Sequence, residues 1–323
     1  MTSIAASVAA ERPVAGVGAW NAPWVACITG PTAAGKSALA LALAARRGLT
    51  LVSADSRQVY RHFDVGTAKP SVEERRLVSH EGIDVADPTV RYSAHQWASD
   101  AAAWGMAAVA AGRPPVFVGG TGLYLRALVE PLAPVPTLDP DRRAVLSRWL
   151  DALPTEELHR WCQRLDPSRA DIGRTQRLRA VETALLAGSR ISAAMVVPAS
   201  EPLPVRYLVV DPGPTLADRI ASRVQAMVRA GFVEEVDRLR REIPVDAPAW
   251  QASGYAVVRD ALEGQGTVAM AIERVIIETR QYAKRQRTWI RHQLPAAQVT
   301  RVNPLATDAL DQVLAWWDAR EGA

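Results

Sequence analysis

The sequence predicts an α/β fold, a phosphate-loop parallel sheet core with an inserted helical, basic domain. Three observations predict it. Short apolar runs alternate with helical stretches along most of the chain, the pattern of parallel strands joined by crossover helices. The first run, WVACIT (Trp24–Thr29), leads into GPTAAGKS, which fits the phosphate-loop pattern GxxxxGK[ST]. From about Asp139 to Leu203 strand signals vanish, and ten arginines face seven acids between Asp141 and Arg190.

The elements follow in order. SALALALAARR (Ser37–Arg47) reads as the helix after the loop, and LTLVSAD (Leu49–Asp55) as a second strand ending in polar residues. GIDVADP (Gly82–Pro88) is the expected third strand. AAAWGMAAVAA (Ala101–Ala111) is too short to span a bilayer and reads as a buried helix. PVFVGGTG (Pro115–Gly122) is a strand running into glycines, and RYLVVDP (Arg206–Pro212) a late strand. Ligands of such sheets gather at the carboxyl ends of the strands, where the loop glycines, Asp55 and Thr121 all fall.

TLADRIASRVQAMVRAG begins with Thr215 and Asp218 three residues apart, a capping-box spacing. Leu216, Ile220 and Val224 form its apolar stripe, Arg219 and Arg223 a neighbouring face, and Gly231 interrupts or ends the helix. TRQYAKRQRTWIRH (Thr279–His292) carries five Lys/Arg and no acid; Arg280, Lys284, Arg287 and Arg291 share one helical face. The closing LDQVLAWWDAR reads as an amphipathic helix with Trp316 and Trp317 packed inward. The expected organisation is a disordered extension over 1–22, a core of 23–138 and 204–300, a helical insertion over 139–203, and a C-terminal helix and tail over 301–323.

The totals bound the function classes. A 323-residue chain, 49% hydrophobic and 22% charged, has room for one large or two modest globular domains. A net charge of +4 is compatible with a polyanionic partner. Cys27 and Cys162 form no CxxC pair, which argues against a disulfide framework or cysteine zinc site and makes the reducing cytoplasm the default. No apolar run is long enough for a transmembrane helix.

The chemistry lies in four motifs. Gly30, Pro31, Thr32, Ala33, Ala34 and Gly35 form a loop whose backbone N–H groups can cradle a phosphate. Lys36 adds a point charge, and Ser37 opens a helix whose N-terminus favours anions and whose hydroxyl can ligate magnesium. The motif does not say which phosphate. Asp55, in SADSRQVY, has three open readings: a metal-serving acid, a general base, or an Asx-turn at a strand end. GGTGLY (Gly119–Tyr124) brings the Thr121 hydroxyl to the same edge. The basic face at Arg280–Arg291, interleaved with Tyr282 and Trp289, suits a nucleic-acid backbone.

Together these motifs resemble the tRNA dimethylallyltransferases of bacterial type, also called tRNA isopentenyltransferases. The matching stretches are GPTAAGKS, SADSRQVYRHFDVGTAKP, VGGTGLYLRAL, AGFVEEV, the Gly254–Tyr255 pair and TRQYAKRQRTWIR, spanning about Trp24 to His292. The resemblance implies transfer of a dimethylallyl group from dimethylallyl pyrophosphate to the exocyclic amine of the adenine just 3′ of the anticodon in tRNA. The loop, Gly30 to Ser37, would then hold the isoprenoid pyrophosphate with Mg2+ at Ser37, and ATP would not be consumed. Lys36 and Arg223, with Arg219 the weaker candidate, would neutralise the leaving group. Asp55 would take the amine proton, and Thr121 would lie near the leaving-group oxygen.

Contacts to the tRNA anticodon stem-loop are implied at Asp55, Ser56, Arg57, Gln58 and Thr121, and at Arg143. They are further implied at Thr175, Gln176, Arg177, Leu178 and Arg179, and are expected at Arg280, Lys284 and Arg287. A cytoplasmic monomer without membrane association is expected. The chain departs from the family pattern at ADIGRTQRLRAVE (Ala170–Glu182), at SHEGID (Ser79–Asp84) and at Ser253, which puts the details of tRNA docking in doubt. A phosphate-loop small-molecule kinase, an enzyme prenylating free adenine nucleotides, and a non-catalytic RNA-binding protein are the alternatives.

Overall fold

The computed structural model describes residues 24–130, 132, 136, 138–194 and 204–319. The expected extension over 1–22 and most of the proline-rich flanks of the insertion lie outside the described residues. In order, the elements are β1 (Val25–Thr29), α1 (Lys36–Arg47), β2 (Thr50–Ser53), α2 (Val72–Leu77), β3 (Ser79–Glu81), α3 (Ala94–Ala110), β4 (Pro115–Val118) and α4 (Gly122–Val129). Then come α5 (Pro140–Asp151), α6 (Thr155–Leu165), α7 (Arg174–Ala187), α8 (Ile191–Ala194), β5 (Val205–Val210), α9 (Leu216–Arg229) and α10 (Phe232–Glu242). The last are α11 (Tyr255–Leu262), α12 (Val268–Gln293), β6 (Val299–Val302) and α13 (Ala309–Asp318).

The chain divides into two compact units, one formed by Met1–Glu130 with Pro202–Ala323 and the other by Pro131–Glu201. In the second, α5 to α7 close on Leu150, Leu158, Cys162, Ala180 and Val181. The first contains a six-stranded parallel sheet in the order β3-β2-β4-β1-β5-β6. Strands β1, β2, β4 and β5 are buried almost throughout, which is why they read as continuous apolar runs. On one face α1 and α13 pack Leu43, Ala44, Val313, Trp316 and Trp317 against the sheet. Both tryptophans are buried, as expected, and Arg206 lies over the Trp24 and Trp316 rings at 5.1 and 5.8 Å. In α3, Trp97 is buried and its Nε1 donates to the Ser53 carbonyl at 3.0 Å. No described helix is long and apolar enough to cross a membrane.

Two expectations need correction. The third strand is Ser79–Glu81, not Gly82–Pro88, which makes only an isolated bridge from Ala86 to Tyr60. Gly82 and Asp84 have φ of 76° and 60°, incompatible with an extended strand, and Lys69 and Arg75 hold the Asp84 carboxylate. Thr215 forms no capping box: it sits in a 3-10 turn with φ −71° and ψ −5°, and its hydroxyl donates to the Pro212 carbonyl. Strand β6 was missed because it is a short edge strand with two exposed residues. The apolar stripe of α9 is as read: Leu216, Ile220 and Val224 are buried, and Leu216 and Ile220 pack with Ala33 of the phosphate loop and Ala283 of α12.

Two side chains brace the loops at the carboxyl edge of the sheet. Gln286 of α12, almost fully buried, accepts from Thr32 N–H at 2.7 Å and donates to the Gly120 carbonyl at 2.9 Å. One donor and one acceptor fix which way the amide faces. A Cβ at Gly120 would lie 2.2 Å from Gln286 Nε2, so the turn must be glycine for the brace to fit. The second brace is Glu235 of α10. Its buried carboxylate accepts from the backbone N–H groups of Asp64, Val65 and Gly66 and from the Tyr255 hydroxyl. It thereby ties together three stretches that are far apart in sequence.

Removing either brace strands partly buried backbone groups. We expect Glu235→Ala to cost about 3 kcal/mol and Gln286→Ala about 2 kcal/mol. Both losses would be read as a lower denaturation midpoint at unchanged m-value. A loss below about 0.5 kcal/mol for either would show that other contacts hold its loop.

Candidate active site

Because β1, β2 and β4 are parallel neighbours, their following loops emerge on one edge. The pairing continues past the strand ends. Ala54 N–H donates to the Val118 carbonyl, Gly119 N–H to Ile28 and Thr121 N–H to Ala54, at 2.9, 3.1 and 3.2 Å. The phosphate loop, Asp55 and Thr121 are therefore fixed in one register.

The loop folds as its glycines require. Gly30 adopts φ 149°, and a Cβ there would meet the Val210 carbonyl oxygen at 2.1 Å. Lys36 Nζ donates to the carbonyls of Gly30 and Pro31 at 3.0 and 2.8 Å. Burial, and then Arg223, push the Lys36 ammonium down to about 8, with Asp55 pulling the other way. Burial also lowers the Arg223 guanidinium from its ordinary value, opposed by Asp55. Lys36, Arg223 and Asp55 are thus electrostatic neighbours. Arg219, one turn earlier on α9, donates Nε to the Ala33 carbonyl at 3.1 Å and so supports the loop.

A cleft of about 730 Å³ opens over the loop, lined by Gly35, Lys36, Ser37, Asp218, Arg219 and Arg223 among others. Arg223 also lines an adjoining groove of about 760 Å³, whose walls include Val65, Ala68, Ala226 and Met227. Lys69 pins this groove's loop by pairing with Asp64 at 2.6 Å and Asp84 at 2.5 Å.

On the other side of the loop edge, Asp55 Oδ1 accepts from Arg57 N–H at 2.9 Å, an Asx-turn. Thr121 Oγ1 accepts from Ser56 N–H at 3.0 Å. The Tyr282 hydroxyl of α12 is an electrostatic neighbour of Asp55 and Thr121: burial followed by the Asp55 charge push it up to about 12, opposed by Arg57 and the Thr121 side chain. Asp55, Ser56, Thr121 and Tyr282 therefore form one polar cluster.

Several residues expected at a tRNA surface are engaged within the fold. Gln58 accepts from Ser53 Oγ and donates to the carbonyls of Thr67 and Ala68, bracing the segment instead of standing free to read a base. Arg143 pairs with buried Glu182 at 2.9 Å, and Leu178 packs into the core of the helical unit. Arg287 holds Asp211 at 2.9 Å and the Gly213 carbonyl at 2.6 Å. Thr175, Gln176, Arg179, Arg280 and Lys284 are exposed, and Arg57 and Arg177 are half-buried. Sequence reasoning missed Gln286, Glu235 and Tyr282 as site builders, although all three stand inside quoted motifs. Their one signal was a polar residue recurring inside a helix-periodic apolar pattern.

The family profile described as IPP transferase matches residues 58–293, and that described as isopentenyl transferase matches residues 23–85. A tRNA dimethylallyltransferase of Stenotrophomonas maltophilia is 40% identical over 291 residues, 85% of this chain and 91% of the relative. One from Burkholderia thailandensis is 41% identical over 310 residues, 90% and 95% of the two chains. The crystal structure of the Bacillus halodurans tRNA isopentenylpyrophosphate transferase is 31% identical, covers 93% of this chain and 97% of its own, and has a TM-score of 0.66. A eukaryotic dimethylallyltransferase acting on tRNA, 22% identical over 91% of this chain and 78% of its own, shares the fold with a TM-score of 0.74. A phosphate-loop sheet, a profile match over most of the chain and relatives at this identity lead to one conclusion: the chain belongs to the IPP transferase family, the tRNA dimethylallyltransferases.

Proposed function

We propose that this protein transfers the dimethylallyl group of dimethylallyl pyrophosphate to the exocyclic amine of the adenosine 3′-adjacent to the anticodon in tRNA, giving N6-dimethylallyladenosine. The observation that carries this reading is the pairing of a phosphate loop with the Asp55–Ser56–Thr121–Tyr282 cluster along one sheet edge, in a chain of this family. The relatives support prenyl transfer over the phosphate-loop kinase.

In this reading Gly30 to Ser37 hold the pyrophosphate, whose charge Lys36 and Arg223 offset. The allylic carbon–oxygen bond breaks with its electron pair leaving on pyrophosphate, and a carbon–nitrogen bond forms to the adenine. The amine becomes acidic only as that bond forms, so the Asp55 carboxylate can take its proton at that moment. The groove wall of Val65, Ala68 and Met227 beside Arg223 suits the isoprenoid chain.

The site also suits Mg2+. Among the described residues no cluster of three or more His, Cys, Asp or Glu could hold a metal. The exposed Ser37 hydroxyl lines the cleft with Asp218, a donor set that fits an ion bound chiefly by pyrophosphate oxygens and water. Bound there, magnesium would supply charge neutralisation to the leaving group.

The anticodon stem-loop is proposed to meet Ser56 and Arg57 beside the base, and Thr175, Gln176, Arg177, Arg179, Arg280 and Lys284 through its phosphates. Gln58, Arg143, Leu178 and Arg287 would shape those surfaces from within. The target adenine must leave its stack to reach Asp55. A cytoplasmic monomer is the working form in this reading.

Nucleoside mass spectrometry of unmodified tRNA, incubated with magnesium and dimethylallyl pyrophosphate, tests the base assignment. Asp55→Ala is expected to lower kcat about 100- to 10,000-fold. Wild-type rates in the variant would remove Asp55 from the mechanism.

A second expectation concerns pH. Lys36 is protonated below about 8 and neutral above it. The advantage of the wild type over Lys36→Met in binding pyrophosphate should therefore shrink as pH rises through that value. The ratio of the two dissociation constants cancels the ligand's own titration. A ratio that stays flat from pH 7 to 9.5 would contradict the assigned role of the ammonium.

A further inference from the structure

Tyr124 stands out among the residues that the proposed mechanism does not use. It lies one turn into α4, on the helix face begun by Thr121, and its N–H donates to the Thr121 carbonyl at 2.9 Å. Its ring stacks on Trp97 with centroids 4.5 Å apart and planes 14° apart. Trp97 is itself locked by its bond to the Ser53 carbonyl, at the end of the strand that leads to Asp55. The tyrosine thus has little freedom to turn.

Its hydroxyl nevertheless has no hydrogen-bond partner among the described residues, although the side chain is 3% exposed. A buried hydroxyl without a partner is costly, and phenylalanine would fill the same space without that cost. The groups acting on this hydroxyl are Tyr60, Asp55 and Arg57. Burial first, then Tyr60 and Asp55, raise its pKa far above the ordinary range, so it remains a donor. Asp55 is also faced by Lys36 of α1, Arg223 of α9 and Tyr282 of α12. Only Oδ1 of Asp55 takes a hydrogen bond among the described residues, from Arg57 N–H.

We propose that Tyr124 is a positioning residue: its hydroxyl donates through one bridging water to the free oxygen of the Asp55 carboxylate and holds that carboxylate in line with the attacking amine. The hydroxyl is too deeply buried to touch substrate, so it acts through Asp55. The inference rests on the proposed role of Asp55 as the proton acceptor.

The test is a double-mutant cycle between Tyr124→Phe and Asp55→Asn, read by single-turnover prenyl transfer to tRNA and by thermal unfolding. In the Asp55 background, Tyr124→Phe should lower kcat about tenfold. KM for both substrates should stay within about twofold, and Tm should be unchanged or higher. In the Asp55→Asn background the same substitution should change the rate by less than about twofold, because the group it serves is gone. An unchanged kcat, or an equal loss in both backgrounds, would overturn the inference, as would a loss that tracks a lowered Tm. A wild type that transfers no prenyl group would overturn the underlying reading, and this inference with it. An active wild type matched by Tyr124→Phe overturns this inference alone.

Discussion

The site depends on one buried amide. Gln286 reaches from α12 to the sheet edge and joins the phosphate loop after β1 to the glycine turn after β4. Adjacent parallel strands place two loops near each other but do not fix their separation. The amide does, because its donor and acceptor ends are held at opposite poles of one rigid group. Thr121 follows Gly120 directly and binds Ser56, so the spacing passes on to Asp55. Holding reacting partners at a set distance is where much catalytic advantage in a two-substrate transfer arises. Gly120 is the counterpart of this brace, since any side chain there would displace the amide.

Charge is divided along the same edge. Lys36 and Arg223 lie on the phosphate side, each with its protonated form disfavoured by burial and favoured by Asp55. An anion entering the cleft relieves both, so binding energy goes to a ligand that brings negative charge. Arg219 is committed to the loop backbone and contributes shape more than charge. The carboxylate of Asp55 sits where those cations meet the Thr121–Tyr282 cluster, between the leaving group and the acceptor in the proposed reaction.

Much of this was legible in the sequence because it is local. The phosphate loop, Asp55 at a strand end and Thr121 after two glycines each follow from spacing within a few residues. The parallel sheet followed from apolar runs that only doubly covered strands can carry. What was not legible is pairing across distance. Gln286 finds Thr32 across 254 positions, and Glu235 finds Val65 across 170. The same blindness explains Arg143 and Arg287, basic residues whose buried or half-buried acidic partners, Glu182 and Asp211, lie far away in the chain. A basic stripe gives the sign of a surface, but not which of its members the fold has already used. The strand expected at Gly82–Pro88 failed for a related reason, since Asp84 serves an ion-pair network with Lys69 and Arg75.

The central claim is that this phosphate loop holds an allylic diphosphate and gives up pyrophosphate. It is tested most directly by counting products without any nucleoside triphosphate present. Purified protein, magnesium, dimethylallyl pyrophosphate and unmodified tRNA would be followed for released pyrophosphate and for prenylated adenosine together. Equal amounts of the two are expected, rising in step until the tRNA is consumed. No prenylated adenosine, with phosphoryl transfer from ATP by the same preparation, would contradict the claim and make the loop a kinase site.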